Sequence, residues 1–285
     1  MVPSAAAGMY DSATRILSID VDDLIVGTAD YYGEPVPAGH RSTIEHDVRT
    51  TLDVLARCDA RATFFVNTQY CILFPAMLKE IHDRGHMLAS HGDRHRNVAD
   101  LSLPEFERDL CRSLELLARV QPRVLGYRPP AFSMPYDDAH LNILKTHGVR
   151  YVSSGVGVAR SNAPRWMRPA PLPSGVTHVP ISTAYLLGGR VKYPIGYGAV
   201  ARLCPERLYL ATLRRWLARD SYFHYYCQTF EFGGIPRGTR IGNRRLAATL
   251  TTRVYMLRCW KRQGLLEAIL RSASFSPIET ALFSE

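Results

Sequence analysis

"RILSIDVDD", residues 15–23, is the stretch on which the fold turns. Ile16, Leu17 and Ile19 form a short aliphatic run that ends in three carboxylates, Asp20, Asp22 and Asp23. An apolar run of that length, cut off by polar residues, reads as a strand buried in a sheet. The pattern returns at "ATFFVN" (62–67), "HMLASH" (86–91), "VLGYRPP" (124–130) and "VRYVSSG" (149–155), then at "THVPIS" (177–182) and "YFHYYC" (222–227). Segments of helical period lie between these runs. Ser42 or Thr43 caps a helix reaching Arg57, with Val48, Leu52 and Leu55 on one face, and others cover 75–84, 103–120, 137–147 and 206–219. Such alternation predicts an α/β fold with a parallel sheet, open or closed into a barrel.

The 285 residues contain no internal repeat and no linker, so one domain over 1–285 is expected, with core motifs in 15–232 and a basic helical extension at 243–273. "GTADYYGEPVPAGH" (27–40) reads as a polar, aromatic loop, and the stretch 162–198, dense in Pro and Gly, as an irregular excursion over one face. Hydrophobic residues make up 46% and charged residues 21%, which suits a globular protein, while a net charge of +9 favours an acidic or phosphate-bearing partner or a membrane surface. The basic stretches at 207–219, 242–246 and 258–263 are short and match no nucleic-acid-binding motif, so nucleic acid is set aside as a partner. Six scattered cysteines without a C-x-x-C pattern fit buried thiols in a reducing compartment. With no signal-like start and no apolar run of about 18 residues, the expected location is cytoplasmic, with peripheral membrane contact left open. The oligomeric state is not legible.

In parallel α/β folds the C-terminal ends of the strands share one face. "DVDD" ends the first strand, "SHGDRH" (90–95) the third, "YRPP" the fourth, and "YFHYY" lies on the last, so these clusters are expected to meet in one cleft. His91, His95 and a carboxylate make a ligand set for a divalent ion with positions left open for water and substrate. Taken alone, the histidines also suit a solvated face and the aspartates an Asx turn. Arg128, stiffened by the prolines that follow, could hold a carboxylate in place. His224, set among aromatics, reads by itself as a core histidine bonded to a backbone carbonyl.

Taken in order, "LSIDVDD", "ATFFVN", "RGHMLASHGDRHRN", "LLARVQPRVLGYRPPAFSM" and "YFHYYCQTFEF" resemble the polysaccharide deacetylases, the NodB-homology or carbohydrate esterase 4 group. The likeness is nearest the branch with D-V-D or D-V-E-D at the first motif, some of whose members serve export or assembly of bacterial surface polysaccharide. It is strong over 15–155, thinner through the middle, and recovers around His224. The resemblance implies a distorted (β/α) barrel with about seven parallel strands. It also implies roles: Asp20 as general base, Asp22, His91 and His95 as metal ligands, Arg128 as the residue orienting the base, and His224 as general acid. Asp23 is the alternative ligand, because the first motif leaves the register open. The backbone N–H of Ala131 would hold the oxyanion where many members carry Tyr. The implied cofactor is a divalent metal, zinc first, with cobalt, nickel or iron as alternatives. Members usually follow the last-strand histidine with P-W-E, whereas "HYYCQTFEF" follows here.

The expected function is therefore metal-dependent removal of an N-acetyl group from an amino sugar of a bacterial surface polysaccharide, such as lipopolysaccharide, or of its lipid-linked precursor. The partner is a carbohydrate, anionic and lipid-linked forms included. Two alternatives stand beside it: a deformylase or amidase using the same site, and a catalytically silent metal- or glycan-binding barrel. Tyr31, Tyr32, Trp166, Tyr193 and Tyr197 could stack on sugar rings or simply pack.

Overall fold

The computed structural model describes residues 13–154, 168–186, 191–233, 253 and 262–284. Trp166, Cys259 and most of the expected extension at 243–273 lie outside these residues. The strands are β1 (Thr14–Val21), β2 (Thr63–Val66), β3 (Met87–Ser90), β4 (Gly126–Tyr127), β5 (Tyr151–Ser154), β6 (Ala170–Pro171), β7 (Thr177–Pro180), β8 (Ala184–Leu186), β9 (Val191–Tyr193) and β10 (Tyr222–Gln228). Eight of them form one sheet in the order β10-β1-β2-β3-β4-β5-β7-β6. The pairings from β10 through β7 are all parallel, which gives the seven parallel strands expected, and β6 adds an antiparallel edge. The architecture is a distorted, open (β/α) sheet, a half-barrel rather than a closed one. Across the gap, the Ser182 N–H donates to the His224 carbonyl at 3.2 Å and the Tyr226 N–H to that of Gly196 at 2.7 Å. β8 and β9 form a separate hairpin inside the stretch read as irregular.

The connecting helices are α1 (Leu24–Tyr32), α2 (Ile44–Arg57), α3 (Gln69–Leu73), α4 (Pro75–Asp83), α5 (Leu103–Ala118), α6 (Asp138–Thr146), α7 (Gly198–Leu203), α8 (Glu206–Leu217), α9 (Phe230–Gly233), α10 (Arg262–Leu270) and α11 (Ile278–Leu282). α1 corrects the loop expected from residue 27. Asp23 caps it, its Oδ1 accepting the N–H of Ile25 at 2.9 Å and of Val26 at 3.1 Å, and Gly33 ends it at φ 64°. These two residues supply the start and stop that the tyrosines and small residues between them obscure.

Alternation along β1 sorts its side chains. Leu17, Ile19 and Val21 pack outward with Phe64 and Val66 of β2 and with Val48, Leu52 and Leu55 of α2. Each such fully buried aliphatic side chain contributes about 1.5–3 kcal/mol. Inward, Ile16 meets Phe65, Ala89, Tyr151, Val179 and Tyr222, and Ile278 of α11 closes this lower layer. The interior is thus apolar at its base, which leaves the polar residues of β1 and β10 for the layers above. No helix among the described residues is long and apolar enough to cross a membrane. The five described cysteines are free thiols.

Candidate active site

Strand geometry lifts Ser18, Asp20 and then Asp22 up the inner face above Ile16. The Asp20 Oδ1 accepts from Nη1 of Arg128 at 2.5 Å. Arg128 is fully buried, and its Nη2 donates to the hydroxyls of Ser18 at 2.7 Å and Ser153 at 2.8 Å. Its guanidinium carbon lies 4.0 Å from the ring centre of Phe65 and 4.8 Å from that of Tyr226. Charge pairing, three directed bonds and aromatic faces together offset the cost of burying this cation.

The loop that follows β3 is fixed just as closely. The His91 N–H donates to the Val66 carbonyl at 3.0 Å, and the His91 carbonyl accepts from Asn67 Nδ2 at 2.5 Å. Gly92 has φ +81°, and a Cβ there would stand 2.8 Å from Asp109 Oδ2. That same oxygen accepts the Asp93 N–H at 2.8 Å, so the turn returning His95 toward β1 requires glycine.

Asp22, His91 and His95 converge, with one ligand atom from each lying within 4.8 Å of the others. Nε2 of His91 and of His95 are 3.6 and 3.7 Å from Asp22 Oδ2, and His91 Nε2 is also 3.6 Å from Asp20 Oδ2. These gaps are long for hydrogen bonds. Ligands about 2.1 Å from a tetrahedral ion sit about 3.4 Å apart, so the spacing suits a shared cation. Both Asp22 oxygens, His91 Nε2 and His95 Nδ1 are buried without a hydrogen-bond partner among the described residues. Each orphan costs about 1–3 kcal/mol, and a bound cation would relieve those that face it. His91 Nδ1 lies 2.7 Å from the Arg128 carbonyl, which assigns the proton to Nδ1 and leaves the Nε2 lone pair facing Asp22. Burial opposes ionisation of Asp22, but His91, His95 and Arg128 outweigh it and hold its carboxyl below the ordinary value. Burial likewise works against protonated His91, yet Asp20 and Asp22 raise it overall, whereas burial prevails at His95 and keeps that imidazole neutral. The residues fit a divalent metal.

Asp23 does not join this cluster. Besides capping α1, its carboxylate receives His40 Nε2 at 3.0 Å, a contact the sequence did not suggest. Ala131 follows Arg128 in a 3-10 turn (Pro130–Phe132), and it and Phe132 have φ 48° and 56°. Two successive left-handed residues without glycine store strain directly beside the held arginine.

His224 is the correction. In the parallel register Ile16 lies opposite His224 and Asp20 opposite Gln228. Four residues at about 3.3 Å each separate the two positions on β10, so His224 sits about 13 Å below the mouth. Its Nε2 meets the Ser18 hydroxyl at 2.6 Å and its Nδ1 the Pro180 carbonyl at 3.1 Å. Burial, and then the Arg128 charge, press its pKa well below the ordinary value, so it is a neutral interior imidazole rather than a charged acid. Gln228 occupies the mouth beside Asp20, and the Thr229 N–H donates to the Asp20 carbonyl at 3.0 Å. Gln228 thus stands at the level where the sequence reading expected His224, and Thr229, Phe230 and Glu231 follow it.

Residues 39–152 match the family Polysaccharide deacetylase. A peptidoglycan-N-acetylglucosamine deacetylase of Bacillus cereus is 31% identical over 94 residues, 33% of this chain and 33% of that protein, so the match spans about a third of the relative's length. Among solved structures, a candidate polysaccharide deacetylase from Mycobacterium smegmatis aligns over 94% of both chains at 17% identity and TM-score 0.56. A mutant of a family 4 carbohydrate esterase pseudoenzyme from Bacillus anthracis aligns over 95% of this chain and 68% of its own at 12% identity and TM-score 0.51. At such identities the structures establish the fold. The sequence likeness to the polysaccharide deacetylases covers residues 39–152, less than half of the chain.

Proposed function

We propose that the protein is a metal-dependent amide hydrolase that removes the N-acetyl group from an amino sugar in a bacterial surface polysaccharide or its lipid-linked precursor. One observation carries the reading: the buried, unpartnered donor atoms of Asp22 and His91 converge with His95 beside an arginine-held carboxylate. Asp22, His91 and His95 hold the metal, zinc first. When bound, it acidifies water and polarises the acetyl carbonyl. Asp20, oriented by Arg128, takes the proton of the attacking water. The Ala131 N–H steadies the oxyanion, a contribution of about 2.7–4 kcal/mol for one such donor. With His224 below the site, Asp20 also passes the proton to the departing nitrogen. The likeness of residues 39–152 to the polysaccharide deacetylases and the N-acetylglucosamine named for the Bacillus cereus relative support the substrate class.

A second reading is favoured by Gln228, which cannot donate a proton as an acid: a barrel that binds metal and glycan without turnover. Acetate release from N-acetylglucosamine oligomers by the zinc-loaded protein, compared with Asp20→Asn, tests the choice. Acetate lost in the variant supports hydrolysis. A filled metal site with neither acetate from N-acetyl nor formate from N-formyl sugars would leave the silent barrel.

A further inference from the structure

The triad opens to solvent on one side. Asp22 and His91 are buried, and only His95 keeps partial exposure. The Tyr31 ring centre lies 6.3 Å from the His95 ring centre, and beyond it runs a groove of about 510 Å³ lined by Asp30, Tyr31, Tyr32, Arg96, Asn97 and Asp100. That volume is in the range of ligand pockets, about 300–1,000 Å³. Building on the reading above, we propose that this groove is a second sugar subsite. It takes the neighbouring hexosamine residue of an amino-sugar chain and favours the free-amine form over an acidic sugar.

The chemistry of the lining makes the case. Tyr31 and Tyr32 meet edge to face, ring centres 5.2 Å apart at 86°, which makes a rigid aromatic corner of the kind that covers the C–H face of a pyranose. Both retain partial exposure. The polar groups are already placed by partners. Gln69 Nε2 donates to Asp30 Oδ2 at 2.8 Å and Asn97 Nδ2 to Asp100 Oδ2 at 2.6 Å. Each carboxylate has oxygen lone pairs left to accept from ring hydroxyls or an ammonium. Arg96, the cation of the groove, is matched by Asp109 at 2.9 Å. Two carboxylates against one neutralised guanidinium repel uronate or phosphate and attract an amine. The net charge of +9 is therefore not expressed at this surface, and the expectation of an anionic substrate does not extend to it.

The test is calorimetric binding of N-acetylglucosamine oligomers of one to four units, of their fully deacetylated counterparts and of an oligouronate, with metal content measured on each sample. Parent protein, Tyr32→Ala and Asp30→Asn are compared. Chain extension is expected to tighten binding about tenfold, and Tyr32→Ala to abolish that gain. Asp30→Asn is expected to remove the preference for the free amine while metal content and melting temperature stay at parent values. Equal affinity for one and four units in the parent, or a chain-length gain that survives Tyr32→Ala, would overturn the subsite. Because binding needs no turnover, loss of acetate release with the length dependence intact would instead count against the hydrolase reading alone.

Discussion

Arg128→Met asks how much the interior depends on one guanidinium. Arg128 is fully buried and Asp20 is 2% exposed, and Nη1 and Oδ1 stand 2.5 Å apart. Methionine fills much of the space between Phe65 and Tyr226 but leaves a buried carboxylate and two hydroxyls without their donor. Breaking a buried pair from one side costs about 3–5 kcal/mol. Asp20→Asn should cost less, about 1–3 kcal/mol, because an amide oxygen still accepts from Arg128 and the serine bonds persist. In the double variant the stranded carboxylate is gone, so the losses should fall short of additive by about 2 kcal/mol. Urea unfolding followed by tryptophan fluorescence, in chelator so that metal affinity stays outside the cycle, measures all three. Arg128→Lys provides a control. It keeps the charge but cannot reach Asp20, Ser18 and Ser153 in one plane, and should recover less than half of the loss. Additivity within about 0.5 kcal/mol would refute the reasoning, because it would mean that Asp20 and Arg128 do not share one buried interaction.

Three further outcomes are expected. Mass-spectrometric metal analysis should find one divalent ion per chain in the parent and in Asp23→Asn, and none in the His91→Ala, His95→Ala double variant; a parent that stays empty in zinc would remove the metal site. Gln228→His should raise acetate release at least tenfold, toward the range of about 10² to 10⁴ for a positioned acid, and add an alkaline limb to the rate profile, the rate falling as the imidazolium loses its proton. No change would mean that position 228 does not face the leaving nitrogen. The third concerns Asp47, a buried carboxyl raised to about 7 by burial, against the stabilising hydrogen bond from Thr43 at 2.8 Å. The folded state keeps this proton up to about pH 7 while the unfolded chain releases it near its ordinary 3.8, so stability falls as pH rises across that window. Asp47→Asn should gain on the parent between pH 4 and 7, by at most about 4 kcal/mol, in denaturant midpoints taken at both ends. A constant difference would show that Asp47 does not titrate there.

The strands were legible because a strand buried on both faces must be written in apolar residues, and the first carboxylates mark where burial stops. From that, strand topology alone brings Asp20, Asp22, His91, His95 and Arg128 to one end of the sheet. α1 was missed although its signals, Asp23 before it and Gly33 after it, were present. Ile25, Val26, Gly27, Thr28, Asp30, Tyr31 and Tyr32 all have modest or low helix propensity, and it is packing over the site that holds the segment helical. The closing helix α11 left no readable mark, since its task, seating Ile278 and Glu279 under the sheet, depends on contacts more than two hundred residues away. The register of β10 was equally hidden. His224 and Gln228 differ by four positions and share the inner face by alternation, so periodicity cannot choose between them. Only pairing with β1 does.

That register divides the site into two halves with different histories of constraint. The metal half needs three atoms at one point, and Gly92, Asp109, Asn67 and the Arg128 carbonyl all act to hold them there. At the mouth of β10, where an acid was expected, glutamine stands opposite Asp20. Below it, His224 is bonded to Ser18, which is bonded to Arg128, which is bonded to Asp20. This chain gives the buried histidine a use the sequence could not show. By accepting the Ser18 proton at Nε2, it leaves the serine oxygen free to receive Nη2 of Arg128, and so fixes the guanidinium that aims the carboxylate. His224 is then a positioning residue acting through two others, and its loss should misplace Asp20 while leaving the three metal-facing side chains where they are.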